Sequence, residues 1–306
     1  MLVTGGSGML GTALLGRFAI SQGDWVVHAP PRRELDLLDA EAVGTWFQRH
    51  QPAAVVHVAG HVRGLAQNMS QQMTAFQANA RMALNVLDAC AATPPERLVA
   101  AGSNAAYGHP YVSLPLREDD LMSGDVHAGE YGYAWGQRVL IAGAHVLRDE
   151  AGVDARVALL TNMFGPADRF ADPGAHVVPA LIRRCVEAAD SGAEEVVVWG
   201  RPDTTRDFLY VEDAAAIITA LLDDPVGSER VNAASGEERT MEEVVGVIAR
   251  ATGFEGRITW DADKPVGIPR RSVDIARLKG LGLPTPIGFD EGIQRTVEWY
   301  REARPS

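Results

Sequence analysis

The sequence predicts an α/β fold: a Rossmann-type, doubly wound parallel sheet with a smaller mixed α/β substrate domain. Three observations carry this. Short apolar runs alternate with helix-length stretches over the N-terminal part of the chain, the rhythm of βαβ units. A glycine-rich turn joins the first apolar run to the first helical pattern. From Ala175 onward that rhythm breaks into helices, short strands and Pro/Gly loops.

Residues 1–4 form a short strand, and 5–11 a glycine turn. Met9–Phe18 has Leu10, Leu14 and Phe18 at helical spacing. Trp25–His28 is the next expected strand, Ala40–His50 a helix and Ala53–Val58 a buried strand. Gln77–Ala92 is helical, Arg97–Ala101 a strand, Tyr131–Ala151 a long helix and Asp154–Leu160 a strand. Later helices are expected at Ala175–Ser191, Met241–Thr252 and Phe289–Arg304, with strands at Val196–Trp199, Phe208–Val211 and Arg257–Trp260. The expected division is a dinucleotide-binding domain at 1–165 and a substrate domain at 166–306. Around 205–235 the chain crosses back to the first sheet.

Composition bounds the function. The chain has 306 residues, 46% hydrophobic and 22% charged, enough apolar matter for a sizeable core. A net charge of −12 argues against nucleic acid, whose phosphates need clustered positive charge. The two cysteines, Cys90 and Cys185, lack metal or redox spacing, so free thiols and a reducing, cytoplasmic setting are expected. No apolar run reaches 18 residues, and the start lacks a secretion-signal pattern, so neither a membrane span nor export is expected.

Gly5, Gly8 and Gly11 make a GxxGxxG loop between strand and helix. The first permits a tight turn, the second lets backbone approach a pyrophosphate, and the third lets the helix pack on the sheet. The helix N-terminus then faces the anion. The second strand should end near Ala29, where an acid would hold a ribose hydroxyl. Pro30-Pro31-Arg32-Arg33 stands there instead. This favours NADP over NAD, with Arg32 as the candidate for the 2′-phosphate.

TGGSGMLG at 4–11, the run Asp36-Leu37-Leu38-Asp39, Asn79, Gly102-Ser103 and Tyr133 on a long helix resemble the extended short-chain dehydrogenase/reductase family. Thr161–Pro166, His176–Arg184, Val196–Gly200 with Arg206-Asp207-Phe208, and Lys264–Arg270 narrow the resemblance to its GDP-L-fucose synthase branch, along nearly the whole chain. The resemblance implies that Asp36 and Leu37 border the adenine and Asn162 the nicotinamide or sugar. It also implies that Arg184, Arg206 and Lys264 hold a GDP-sugar, with Trp199 lining its cleft. Arg183, Arg270 and Arg271 add to a basic set whose guanidinium forks match phosphate oxygens. The branch pairs subunits through its two long helices. A homodimer is therefore expected, with Ala142-Gly143-Ala144 allowing close approach.

Three departures matter. The family's redox Tyr is followed four residues later by Lys, on the same helix face; here Tyr133 is followed by Gln137. A nearby cation depresses an acid's pKa by about 1–3 units, and Gln brings none. Arg138 lies roughly 100° further round the helix. The family's epimerising Cys is replaced by Ala105, although its partner His is matched by His176. Gly6-Ser7 stands where the branch has His-Arg.

Ser103, Tyr133, Gln137 and His176 are therefore the candidate catalytic residues, with no metal expected. The expected function is a GDP-sugar isomerase, an epimerase or ring-form mutase, with little net redox. The alternatives are an NADP-dependent GDP-4-keto-6-deoxyhexose reductase and a non-catalytic nucleotide-binding regulator.

Overall fold

In a computed structural model, residues 1–304 are described apart from 21–24, 172–173, 225–228, 264–266 and 284–285. The chain runs β1 (Leu2–Thr4), α1 (Met9–Ile20), α2 (Ala40–His50), β2 (Ala54–His57), α3 (Leu65–Ser70), α4 (Gln72–Ala92) and β3 (Arg97–Ser103). Next come α5 (Tyr131–Ala151), β4 (Asp154–Leu160), β5 (Asn162–Phe164), α6 (Val177–Ser191), β6 (Glu195–Trp199), β7 (Thr205–Tyr210) and α7 (Val211–Asp223). The last are β8 (Arg230–Ala233), β9 (Glu238–Thr240), α8 (Met241–Thr252), β10 (Arg257–Asp261), α9 (Ala276–Lys279) and α10 (Phe289–Ala303).

The main sheet is parallel, in the order β1-β2-β3-β4-β8. Its register explains why these strands read as unbroken apolar runs. The row Leu2, Val55, Leu98, Ala155 faces Phe47 of α2, Val86 of α4 and Ile141 of α5. The next row, with Val3, Val56 and Val99, faces Leu14 of α1, Leu181 of α6 and Ile218 of α7. Both faces are covered, so both parities must be apolar. Burying a Val or Leu side chain is worth about 1.5–3 kcal/mol, and these two rows with their helices make the core. β8 joins the sheet beside β4 after α7. A second sheet, β5-β7-β9, and the parallel pair β10-β6 lie outside it.

Local signals set several boundaries. Asp39 caps α2, accepting from Ala42 N at 3.0 Å. Thr240 and Glu243 form a reciprocal cap on α8, which ends at Gly253 in the left-handed region. The expected strand at Trp25–His28 is reduced to one bridge, Leu2 with His28. Val26 is exposed and Pro30-Pro31 lack N–H donors, so no longer ladder forms. Helix α4 begins at Gln72, earlier than expected. Among the described residues, no helix is long and apolar enough to cross a membrane.

Cys90 and Cys185 are buried and unpaired. Burial pushes their thiols up, to about 12 and about 11, so both are unreactive core residues.

Candidate functional site

The glycine loop sorts its residues by role. Gly5 sits at φ 73°, and a Cβ there would lie 2.7 Å from the Ala59 backbone. A Cβ on Gly11 would lie 2.2 Å from the Gly5 carbonyl oxygen. The fold itself demands both glycines. A Cβ on Gly8 would meet only that same oxygen, at 3.4 Å, so the outer side of Gly8 is open. Thr4 Oγ1 hydrogen-bonds His57 Nδ1 at 2.8 Å, tying β1 to β2 just below the loop.

Beyond the loop, Arg32 is engaged. Its Nε and Nη2 donate to Asp36 Oδ2 at 3.2 and 3.1 Å. Asp36 Oδ1 accepts from Leu38 N at 3.1 Å. That bond, together with the lesser Arg32 contact, holds the Asp36 carboxyl below its usual range. The Leu37 side chain is buried in the core, and its carbonyl accepts from Asn85 Nδ2 at 2.8 Å. Of the pair expected at the adenine, only Asp36 presents a side chain outward.

Ser103 ends β3, and its Oγ accepts from Ala105 N at 3.2 Å. The Tyr133 phenol stands by Ser103; burial raises the phenol above its ordinary value, and the nearby Ser103 hydroxyl opposes the rise. One turn along α5, Gln137 is 6% exposed. Its Oε1 is buried and meets no hydrogen-bond donor among the described residues, which leaves it able to accept from a bound water or ligand. Arg138 is no stand-in for a lysine. It donates to Ala106 O and Gly124 O, both at 2.8 Å, and lies over Trp135. Ala105 packs in an apolar cluster with Val126 and Ala134, touching Tyr133.

The substrate-side residues divide. Arg206 is half-buried and donates to Thr205 O at 2.7 Å. Burial first, then repulsion from Arg271, brings it down to about 10. Arg271 is 6% exposed. It pairs with Glu130 at 2.6 Å and donates to Tyr111 Oη at 2.8 Å. Glu130 and Arg271 both act electrostatically on Tyr133, so this pair belongs to the site. The sequence marks Arg271 as basic but gives no sign of an acid 141 positions away.

Arg184 reaches Val197 O at 2.8 Å and lies 5.7 Å from the Trp199 ring centre. Trp199 is 57% exposed. Asn162 donates to Asp207 O at 3.3 Å. Arg183 pairs with Glu187 and Arg270 with Glu238, so the basic set does not form a single pocket. Lys264 lies outside the described residues. His176 precedes α6 and stands with His61, Arg63 and Arg169; no described hydrogen bond joins it to Ser103 or Tyr133.

Gly143 faces Leu87, at 2.4 Å for an added Cβ, and Ala144 is 2% exposed. Gly143 and Ala144 therefore serve the contact between α4 and α5 within one chain, while Ala142 stays exposed.

The model of the NAD dependent epimerase/dehydratase family matches residues 1–234. A probable GDP-L-fucose synthase of Oryza sativa subsp. japonica is 35% identical over 303 residues, 99% of this chain and 92% of that protein. A GDP-L-colitose synthase of Yersinia pseudotuberculosis is 28% identical, covering 98% and 97%. The crystal structure of a GDP-L-fucose synthetase from Naegleria fowleri bound to NADP superposes with a TM-score of 0.89 at 26% identity, over 98% of this chain and 93% of that one. With a glycine loop, a Ser–Tyr pair and a parallel sheet of this order, the chain belongs to the NAD dependent epimerase/dehydratase family, as a relative of GDP-L-fucose synthases.

Proposed function

We propose that the chain is an NADP-dependent enzyme of GDP-sugars, and that its reaction is reduction of a keto group on the sugar. One observation carries this. Tyr133 is a phenol raised by burial, beside Ser103, with the neutral Gln137 one turn away. Such a phenol can give a proton but is a poor base at neutral pH. Isomerisation through a transient ketone must first remove a hydroxyl proton, so the isomerase expected from the sequence gives way to the reductase. Ala105 offers no proton either, which argues against double epimerisation.

The dinucleotide site fits residues present. The open side of Gly8 suits a pyrophosphate, and the partnerless Gln137 Oε1 suits a ribose hydroxyl. When bound, the reduced nicotinamide supplies hydride to the carbonyl carbon. Tyr133 Oη gives its proton to the carbonyl oxygen, and Ser103 Oγ orients both. Residues 1–165 would hold the dinucleotide and 166–306 the sugar nucleotide. Arg206 and the Arg184–Trp199 stack would face the GDP portion. Apolar Met73, Phe76 and Leu84 on α4 and Val146 on α5 are exposed, which supports a homodimer through these helices.

The test is absorbance at the NADPH band with a GDP-4-keto-6-deoxyhexose. Stoichiometric NADPH oxidation is expected. Product formed without NADPH loss restores the isomerase, and equal stabilisation by UDP- and GDP-sugars removes the guanine assignment.

A further inference from the structure

Segment 29–36 is built against the glycine loop. A Cβ on Gly6 would lie 2.9 Å from Ala29 Cβ and 3.3 Å from Leu15 Cδ1, so loop and segment touch with no room for a side chain between them. Beyond Ala29 the chain turns, with Glu34 N and Leu35 N donating to Pro31 O at 2.9 and 3.1 Å. Leu35 and Leu37 are buried in the core, while Arg32 and Asp36 stay outside. A dinucleotide with its pyrophosphate over Gly8 runs its adenosine ribose toward this part of the chain.

The segment offers a 2′-phosphate no net positive charge. Arg32 Nε and Nη2 both donate to Asp36 Oδ2, at 3.2 and 3.1 Å. Arg33 Nη2 lies 3.4 Å from Glu34 Oε1. Two guanidiniums thus face two carboxylates, and the exposed Ser7 of the glycine loop adds no cation. The 2′-phosphate that distinguishes NADPH from NADH must compete with Asp36 for the Arg32 fork. The free ribose 2′-hydroxyl of NADH instead donates to an acid. No acid stands directly after His28, but Asp36 folds back onto Arg32 and brings one there. Its Oδ1 accepts from Leu38 N at 3.1 Å, so the backbone sets the position of the carboxylate.

We infer that Asp36 sets cofactor choice: by occupying Arg32 it weakens the hold on a 2′-phosphate, and by offering a carboxylate to a free ribose hydroxyl it admits NADH alongside NADPH. This rests on the dinucleotide reading above.

Fluorescence titration of the full chain with NADPH and with NADH tests it. Both are expected to bind, with dissociation constants within about tenfold of each other. Asp36→Asn keeps an oxygen for Leu38 N, frees Arg32 and removes the charged acceptor. It should tighten NADPH and loosen NADH, moving their ratio by roughly tenfold or more, the scale of one charge-assisted hydrogen bond. Arg32→Gln should move the ratio the other way by weakening NADPH. The two side chains are 75% and 41% exposed, so neither change should disturb the fold, which thermal melting checks. A native preference for NADPH beyond about a hundredfold overturns the inference. So does an unchanged ratio in Asp36→Asn. A native chain that binds neither dinucleotide removes the cofactor reading itself and this inference with it.

Discussion

The buried Arg271 and the partly buried Glu130 meet in an ion pair, 2.6 Å from nitrogen to oxygen, that fastens the segment after β10 to the start of the helix carrying Tyr133. The same guanidinium reaches Asn104 Oδ1 at 3.5 Å, next to Ser103. One cation therefore braces both elements of the Ser–Tyr pair.

Replacing Arg271 should show this brace as stability. Arg271→Met leaves the partly buried Glu130 carboxylate unpaired, a change that costs about 1–3 kcal/mol. The pair also has a pH signature. Burial pushes the Glu130 carboxyl up, but attraction to Arg271 and their hydrogen bond outweigh it, so the net shift is downward. A carboxyl depressed in the folded state contributes fully above its unfolded value of about 4.3. That contribution fades as pH falls through the lower folded value. Urea unfolding from pH 3 to 8 is the measurement. A variant with wild-type stability throughout would show that the pair contributes nothing.

The glycine loop yields two opposite outcomes. Gly11→Ala forces a side chain against the Gly5 carbonyl, and overpacking of this kind costs about 1–3 kcal/mol. Its melting temperature should fall. Gly8→Val meets little protein, so the fold should persist while dinucleotide affinity collapses. Fluorescence titration with NADPH and thermal melting separate the two, and undiminished NADPH binding by Gly8→Val contradicts the loop's assignment.

What the sequence discloses here is local. The bounds of α2, α5, β4 and α8 agree with apolar periodicity and caps, because those signals lie within one element. Ser103 and Tyr133 stand together as motif spacing implies. The strand at Trp25–His28 shrinks to a bridge because Pro30 and Pro31, just beyond it, cannot donate to a ladder. The Glu130–Arg271 pair stays hidden because it joins residues far apart in the chain. Leu37, expected at the adenine, has its apolar side chain in the core, so only its backbone is left to border a base.

His57 should make the protein acid-sensitive. It is 2% exposed, and burial brings it down to about 4. Between pH 6.5 and 4 the unfolded chain holds a proton that the folded one refuses, so stability falls as pH drops through this window. The loss sums to about 3 kcal/mol at 1.36 kcal/mol per pH unit. His57→Gln keeps a polar partner for Thr4 but cannot titrate, so its stability should vary less between pH 4 and 6.5. An unchanged slope in that variant would assign the acid sensitivity to other groups.

Gln137→Lys should convert a one-way proton donor into a two-way one. In the native chain Tyr133 is raised by burial and has no lysine beside it, so it stays protonated and the ketone-reducing rate should be flat through neutral and mildly alkaline pH. A lysine one turn along faces the phenol and lowers its pKa by about 1–3 units. The forward rate should then begin to fall at a lower pH. The reverse reaction, alcohol oxidation with NADP, should rise because a phenolate is now within reach. The new ammonium must be desolvated where Gln137 is 6% exposed, so some stability should be lost as well. Tyr133→Phe is the companion variant, expected to lower the forward rate by about 10²–10⁴-fold without altering the fold. Initial rates in both directions across pH 6–10 decide the matter. If the pH profile of Gln137→Lys matches that of the native chain, or Tyr133→Phe keeps its rate, Tyr133 is not the proton donor.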